Sequence, residues 1–265
     1  MIGRNTMSRM LAYTAVRPKT WRDAVGDTLL SEFGALSLLH SDGWGAAWHD
    51  SIVGAAVRGG EAPIDTRRSL RKDWVPLSKV GMLYLRFASR GAPMSPENTQ
   101  PFLRDGMAFQ HNGALSPRSL AVHALTEDEQ ARLTGTTDSE VYLQHTLRDL
   151  INRKPADALA EAAARMRTLF PAACLNAFAI TGGDLFVVHA PGTAQPPHVA
   201  FARRGVSVDS LPPGHGDTYN RLSSTVSASG TVIVATTGID QRGWIPLPSD
   251  TVTRITPAPL ISVAL

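Results

Sequence analysis

The chain has 265 residues, 43% of them hydrophobic and 18% charged, with a formal net charge of +3. That length suffices for a full core, the balance is that of a soluble globular domain, and the small charge gives no reason to expect a nucleic-acid partner. A single cysteine, Cys174, excludes an intrachain disulfide and argues against a cysteine-based zinc site.

In chain order, residues 8–16 read as a short strand. Leu29, Leu30, Phe33, Leu36 and Leu39 recur at helical spacing and predict a helix over 28–40. The turn Asp42-Gly43-Trp44-Gly45 opens a hairpin with residues 51–57. Residues 65–74 read as a helix carrying Arg67, Arg68, Arg71 and Lys72 on one face. This is a solvated face, since no aromatics interleave with the charges. Residues 80–88 and 106–111 read as strands, and the span from Pro117 to about Leu133 as two helical pieces. A strong helix is predicted over 138–151, capped by Thr137 or Asp138. Another covers 155–170, with Pro155 in its first turn. Residues 174–181 and 184–190 form a hairpin across Gly182-Gly183. Residues 199–203 and 231–236 are further strands, and 212–216 a loop. Strands, then two adjacent helices, then strands again predict an α+β or layered α/β/β/α arrangement. No linker divides the chain. No apolar run approaches the length of a signal peptide or a membrane span, so a cytoplasmic protein without a membrane partner is expected.

The chemistry concentrates in three short stretches. Gln110-His111-Asn112-Gly113 ends an apolar strand. An Asn side chain followed by a Gly backbone N–H can aim two donors at one developing oxyanion. The same dipeptide is also a common hairpin turn. Tyr84-Leu85-Arg86-Phe87-Ala88-Ser89-Arg90-Gly91 places a guanidinium at a strand end, where its fork suits a carboxylate; the plainer alternative is a surface Arg in a turn. Thr137-Asp138-Ser139-Glu140 is a helix start whose Asp138 could also receive an ammonium. Arg86, Asn112-Gly113 and Asp138 together describe a receptor for an α-amino acid with a side-chain amide. Elsewhere, Cys174 reads as a small buried thiol. His40, His49, His111 and His189 lack zinc-ligand spacing. His111 reads as structural beside Asn112, and His123 and His145 as surface or core-edge residues. No His is placed by sequence to serve Ser139.

The order and spacing of these groups resemble the class II glutamine amidotransferases, a family of N-terminal-nucleophile (Ntn) hydrolases. Arg9-Met10-Leu11-Ala12-Tyr13, Asp42-Gly43-Trp44-Gly45, Leu175-Asn176-Ala177 and the segment from Val232 to Pro248 are similar to its stand-alone branch. That branch includes the γ-glutamyl amidohydrolase of ergothioneine biosynthesis. The resemblance implies an α+β, four-layer αββα sandwich of two antiparallel sheets. It implies that Arg86 binds the substrate α-carboxylate, Asp138 the α-amine, and Asn112 and Gly113 the oxyanion. Ser89 and Gln100 fall at pocket-lining positions, Gln100 where better-known relatives carry a His. The substrate implied is glutamine or a γ-glutamyl amide. A separate synthase subunit is a possible acceptor of ammonia. The chemistry requires no metal or organic cofactor.

The family's nucleophile is a Cys at residue one, whose own α-amine is the base. Here the matching residue is Ser8, preceded by seven residues. A thiol ionises near neutral pH, whereas a Ser hydroxyl must lose its proton during attack. The expectation is therefore a domain over 8–265, with 1–7 an extension or a mis-assigned start. Initiator-Met removal at Met7 would expose Ser8. The alternative is an inactive homologue that binds glutamate, glutamine or a partner.

Overall fold

The computed structural model of the chain describes residues 7–50, 52–60, 77–88, 92–257 and 261–264, with the backbone alone for 56–60 and 261–264. The predicted helix at 65–74 and the candidate Ser89 lie outside the described residues.

The strands are β1 (Arg9–Lys19), β2 (Trp44–Asp50), β3 (Gly54–Gly60), β4 (Ser78–Leu85), β5 (Phe102–Arg104), β6 (Met107–Asn112), β7 (Asn176–Thr181), β8 (Asp184–His189), β9 (Leu222–Val226), β10 (Val232–Thr236), β11 (Ile245–Pro246), β12 (Thr251–Ile255) and β13 (Ile261–Ala264). The helices are α1 (Trp21–Val25), α2 (Asp27–Ala35), α3 (Arg118–His123), α4 (Glu127–Ala131), α5 (Asp138–Leu150), α6 (Pro155–Leu169) and α7 (His198–Arg203). One sheet runs β11-β9-β10-β1-β4-β2-β3 and the other β13-β12-β8-β7-β6-β5. The strand pairs are antiparallel.

Alternation along the strands explains the layering. Met10 and Ala12 of β1 join Met82, Tyr84, Ala108, Phe178 and Val187 in a core between the sheets. The intervening Leu11 and Tyr13 pack with Trp21, Phe33 and Leu83 beneath α1 and α2. On the far side, Phe109 and Val188 pack under Val141, Tyr142, Leu159 and Ala162 of α5 and α6. The result is the expected α+β sandwich in the order helices, sheet, sheet, helices. Its strands are apolar on both faces because both faces are covered.

Thr137, rather than Asp138, caps α5: its side chain accepts from the Glu140 N–H. That leaves the Asp138 carboxylate for other work. Residues 199–203, expected as a strand, lie in α7 instead. Val199 is exposed, and one anchor, Phe201, is buried among Phe87, Tyr219 and Met7. A single docked aromatic leaves no alternation to read. The strands β9 and β12 were not expected either, because their Ser and Thr residues mask the apolar pattern. His145, expected near the surface, is fully buried, with its Nε2–H on the Ala121 carbonyl at 3.0 Å.

Candidate active site

The site lies at one end of the space between the sheets. Ser8 precedes β1 and shares the face of Met10 and Ala12. It stands one step beyond the Arg9–Leu85 register pair and so opposite Arg86. From the other sheet, Asn112 ends β6 on the face shared by Ala108, opposite Asn176 of β7. Both therefore face the same layer, and both are buried.

A short chain of hydrogen bonds joins the two sides. Ser8 Oγ lies 2.6 Å from the Tyr84 hydroxyl, and Gln100 Nε2 donates to that hydroxyl at 2.8 Å. Gln100 Oε1 accepts from the His111 N–H at 2.5 Å, one residue before Asn112. The Phe87 N–H also donates to Ser8 Oγ, at 3.2 Å. Burial pushes the Tyr84 hydroxyl up to about 12, against the opposing effects of its bond to Ser8 and of the Arg86 charge, with Asp138 adding to the rise. Tyr84 thus keeps its proton at neutral pH, within electrostatic reach of both candidate substrate-binding residues.

The Asn112 carboxamide is distinctive. It is fully buried, yet neither its nitrogen nor its oxygen has a partner among the described residues. Buried polar groups are nearly always satisfied, and each exception calls for an explanation, a catalytic role among them. Its neighbour Asn176 is satisfied at both ends, donating to the Asn220 carbonyl at 2.6 Å and accepting from the Ala190 N–H at 2.9 Å. Gly113 follows Asn112 at a point of tight approach. A Cβ there would run into the Cys174 carbonyl and the His111 ring. Gly45 serves similarly, letting the Gln100 carbonyl lie against β2.

Arg86 is buried and held by its surroundings. Its backbone pairs with the turn at 42–43, the Arg86 N–H donating to the Gly43 carbonyl at 2.9 Å and the Asp42 N–H to the Arg86 carbonyl at 3.1 Å. Asp42 in turn accepts from the Ala88 N–H and pairs with Arg204. The Arg86 guanidinium donates to the Pro93 carbonyl at 3.0 Å and to Met94 Sδ at 3.3 Å. With five N–H groups on the fork, donors remain for a carboxylate. Asp138 is half-buried and accepts from the Leu115 N–H at 2.6 Å, tying the start of α5 to the segment that follows Asn112-Gly113.

His111 faces α5. Its Nε2–H donates to the Cys174 carbonyl at 3.1 Å, so Nδ1 accepts from the Ser139 hydroxyl at 3.0 Å. Burial lowers the His111 pKa, partly offset by Asp138 and by the bond to Cys174. The partner for Ser139 that sequence spacing did not supply is thus His111. Both ring nitrogens of this neutral imidazole are committed, so the pair is structural. It fixes the direction in which Asn112 leaves β6. Cys174 is fully buried and its thiol is pushed up to about 12 by burial, as an inert core thiol should be.

Two contributors escaped the sequence reading. Tyr84 sits two residues before Arg86 and hence on the same strand face, the one signal that could have flagged it. Arg9 had none. Its guanidinium is fully buried, with Nε–H on the Ser8 carbonyl at 2.6 Å and Nη1 on the Thr237 carbonyl and hydroxyl at 3.2 and 3.1 Å. It lies 3.9 Å over the Tyr219 ring.

A family model for glutamine amidotransferases class-II matches residues 24–195. The chain belongs to the class II glutamine amidotransferases. The match spans Arg86, Gln100, Asn112, Gly113 and Asp138, and begins after Ser8. No curated protein sequence matches the chain significantly. Solved structures share the amidotransferase fold. A glutamine aminotransferase class-II domain protein from Silicibacter pomeroyi is 20% identical, with TM-score 0.62 over 97% of this chain and 98% of that one. The glutamine phosphoribosylpyrophosphate amidotransferase of B. subtilis, solved with ADP and GMP, is 15% identical with TM-score 0.64. There 97% of this chain aligns with 49% of the other, so the chain spans about half the length of that enzyme. A Pseudomonas aeruginosa protein described as a predicted glutamine amidotransferase is 18% identical, with TM-score 0.52 over 96% and 99% of the two chains.

Proposed function

We propose that this class II amidotransferase homologue is an Ntn-type amidohydrolase that cleaves the side-chain amide of glutamine or of a γ-glutamyl amide, with Ser8 as nucleophile. The observation that supports the reading is the buried carboxamide of Asn112, without a partner among the described residues, on a strand face turned to the layer between the sheets that β1 also faces. Once Met7 and the residues before it are removed, the Ser8 α-amine takes the Oγ proton and Oγ bonds to the amide carbon. Asn112 Nδ2–H and Gly113 N–H hold the oxyanion. As the C–N bond breaks, the α-ammonium returns the proton to the leaving nitrogen. Water then attacks the acyl ester by the same route and releases glutamate. Arg86 grips the α-carboxylate and Asp138 the α-ammonium.

The leaving group is ammonia or a larger amine. Ammonia calls for a separate synthase subunit as acceptor. A larger amine suits the stand-alone branch that includes the ergothioneine-pathway γ-glutamyl amidohydrolase. One observation favours a second reading, a non-catalytic glutamate or glutamine binder. While Met7 is attached, its carbonyl accepts from the Tyr219 hydroxyl at 2.7 Å, Met7 is itself buried, and Ser8 has no free amine.

The test places the start codon at Met7, so that initiator-Met removal exposes Ser8 and every other described residue is kept. Intact mass verifies that Ser8 is exposed. Glutamate release is then measured from glutamine and from a series of γ-glutamyl amides. Activity that disappears in Ser8→Ala and persists in Ser8→Cys is expected. Equal turnover by wild type and Ser8→Ala would end the reading.

A further inference from the structure

Replacing a thiol by a hydroxyl raises a specific difficulty. A serine alkoxide is far more basic than a thiolate, so the oxygen needs strong donors at the moment its proton leaves. The hydrogen-bond directions around Ser8 supply them. The His111 N–H can only donate, so the Gln100 end facing it is the carbonyl and the end facing Tyr84 is the amide nitrogen. The Tyr84 oxygen therefore accepts from Gln100; either hydroxyl of the Tyr84–Ser8 pair can donate at 2.6 Å, and donation by Tyr84 is the sense that gives its hydrogen an acceptor among the described residues. The Phe87 N–H, also only a donor, points at the same oxygen. Ser8 Oγ thus receives two donors, and its own hydrogen is directed elsewhere, free for the α-amine. When that proton leaves, a third lone pair is uncovered to attack.

We infer that Tyr84 is a catalytic hydrogen-bond donor to Ser8 Oγ, held in the donating sense by Gln100 as a positioning residue, and that this arrangement makes a serine workable as the nucleophile. The inference rests on the reading of Ser8 given above. In attack, Tyr84 and Phe87 stabilise the developing alkoxide. In deacylation they stabilise the same oxygen as it leaves the acyl carbon. The charged and titratable groups around Ser8 are Arg9 beside its carbonyl, Arg86 and Asp138 within reach of Tyr84, and Tyr219 and Cys174 around Arg9. Among the described residues none of these donates to Oγ, whereas Tyr84 and Phe87 lie within hydrogen-bond distance of it.

The experiment is a double-mutant cycle with two readouts, using the Met7-start protein. Tyr84→Phe in the Ser8 enzyme is expected to lower kcat/KM by about 10²-fold, the usual effect of removing one donor from a developing oxyanion. In the Ser8→Cys background it is expected to cost less than about 3-fold, since sulfur is a weak acceptor and its anion forms without help. Gln100→Glu turns the Tyr84 hydrogen away from Ser8 and is expected to follow the same pattern. Equal losses in the two backgrounds would mean that Tyr84 is only structural, and would overturn the inference.

The second readout is the rate at which diisopropyl fluorophosphate labels Ser8, followed by peptide mass. In that step an Oγ–P bond forms, P–F breaks, the Oγ proton passes to the α-amine and fluoride leaves. Labelling at least 10-fold slower in Tyr84→Phe supports the donor role, even if no amide tested is hydrolysed. Unchanged labelling, or a wild-type Ser8 that is not labelled at all, refutes it. Amide hydrolysis that survives Tyr84→Phe unchanged would refute this inference while leaving the proposed function intact.

Discussion

Asn112 and Asn176 form a matched pair. They are register partners on one sheet face, and both are fully buried. They differ in what their amides do. Leaving a buried polar group unpaired costs about 1–3 kcal/mol. Asn112→Leu removes an amide that has no partner, so it is expected to stabilise the fold by about 1–3 kcal/mol. For a domain of this size that raises Tm by about 2–6 °C. The same change is expected to lower kcat about 10²- to 10³-fold by removing an oxyanion donor. Asn176→Leu strands the Ala190 N–H and the Asn220 carbonyl. It is expected to cost about 2–6 kcal/mol, or about 4–12 °C in Tm. Differential scanning calorimetry of both variants, with glutamate release for Asn112→Leu, gives the comparison. If Asn112→Leu loses as much stability as Asn176→Leu, the Asn112 amide is a structural group and the oxyanion assignment fails.

Three further outcomes are expected. Arg86→Lys keeps the charge but loses the planar fork. It should raise KM for glutamine at least about 10-fold with kcat changed less than about 3-fold, and the reverse split would remove Arg86 from carboxylate binding. Burial holds His145 down at about 4, below its ordinary value of 6.5. Above pH 6.5 it is neutral in both folded and unfolded chains; below that the unfolded chain gains a proton the folded one resists. Stability is therefore lost as pH falls from about 6.5 to 4, by about 3 kcal/mol in total. Chemical denaturation at several pH values should show that slope reduced in His145→Gln, and an unchanged slope would count against the assignment. Finally, the buried Glu140 carboxylate accepts from Arg104 at 2.8 Å, from the Thr134 N–H and hydroxyl at 2.7 and 2.9 Å, and from the Gly135 N–H at 2.8 Å. Glu140→Gln should destabilise by about 3 kcal/mol because it leaves Arg104 without its counter-charge, and an unshifted thermal midpoint would contradict this.

The amino-acid order alone determined the local pieces. Apolar runs bounded by turn residues marked most of the strands, and the Thr137-Asp138 pair and Pro155 marked the starts of α5 and α6. The candidate site residues were legible as types: a fork for a carboxylate, an acid for an amine, and an Asn-Gly pair for an oxyanion. Their number and order were enough for the family resemblance. What no local signal carries is which groups meet across the gap between two packed sheets. Ser8 and Asn112 are separated by most of the N-terminal half of the chain, and they share one layer only because β1 and β6 present the same strand face to each other. That packing alone turned Tyr84 from a core aromatic into a partner of Ser8, gave His111 to Ser139, and left the Asn112 amide without a partner. Hydrogen-bond direction is a property of assembled neighbours, so it is decided in the tertiary structure.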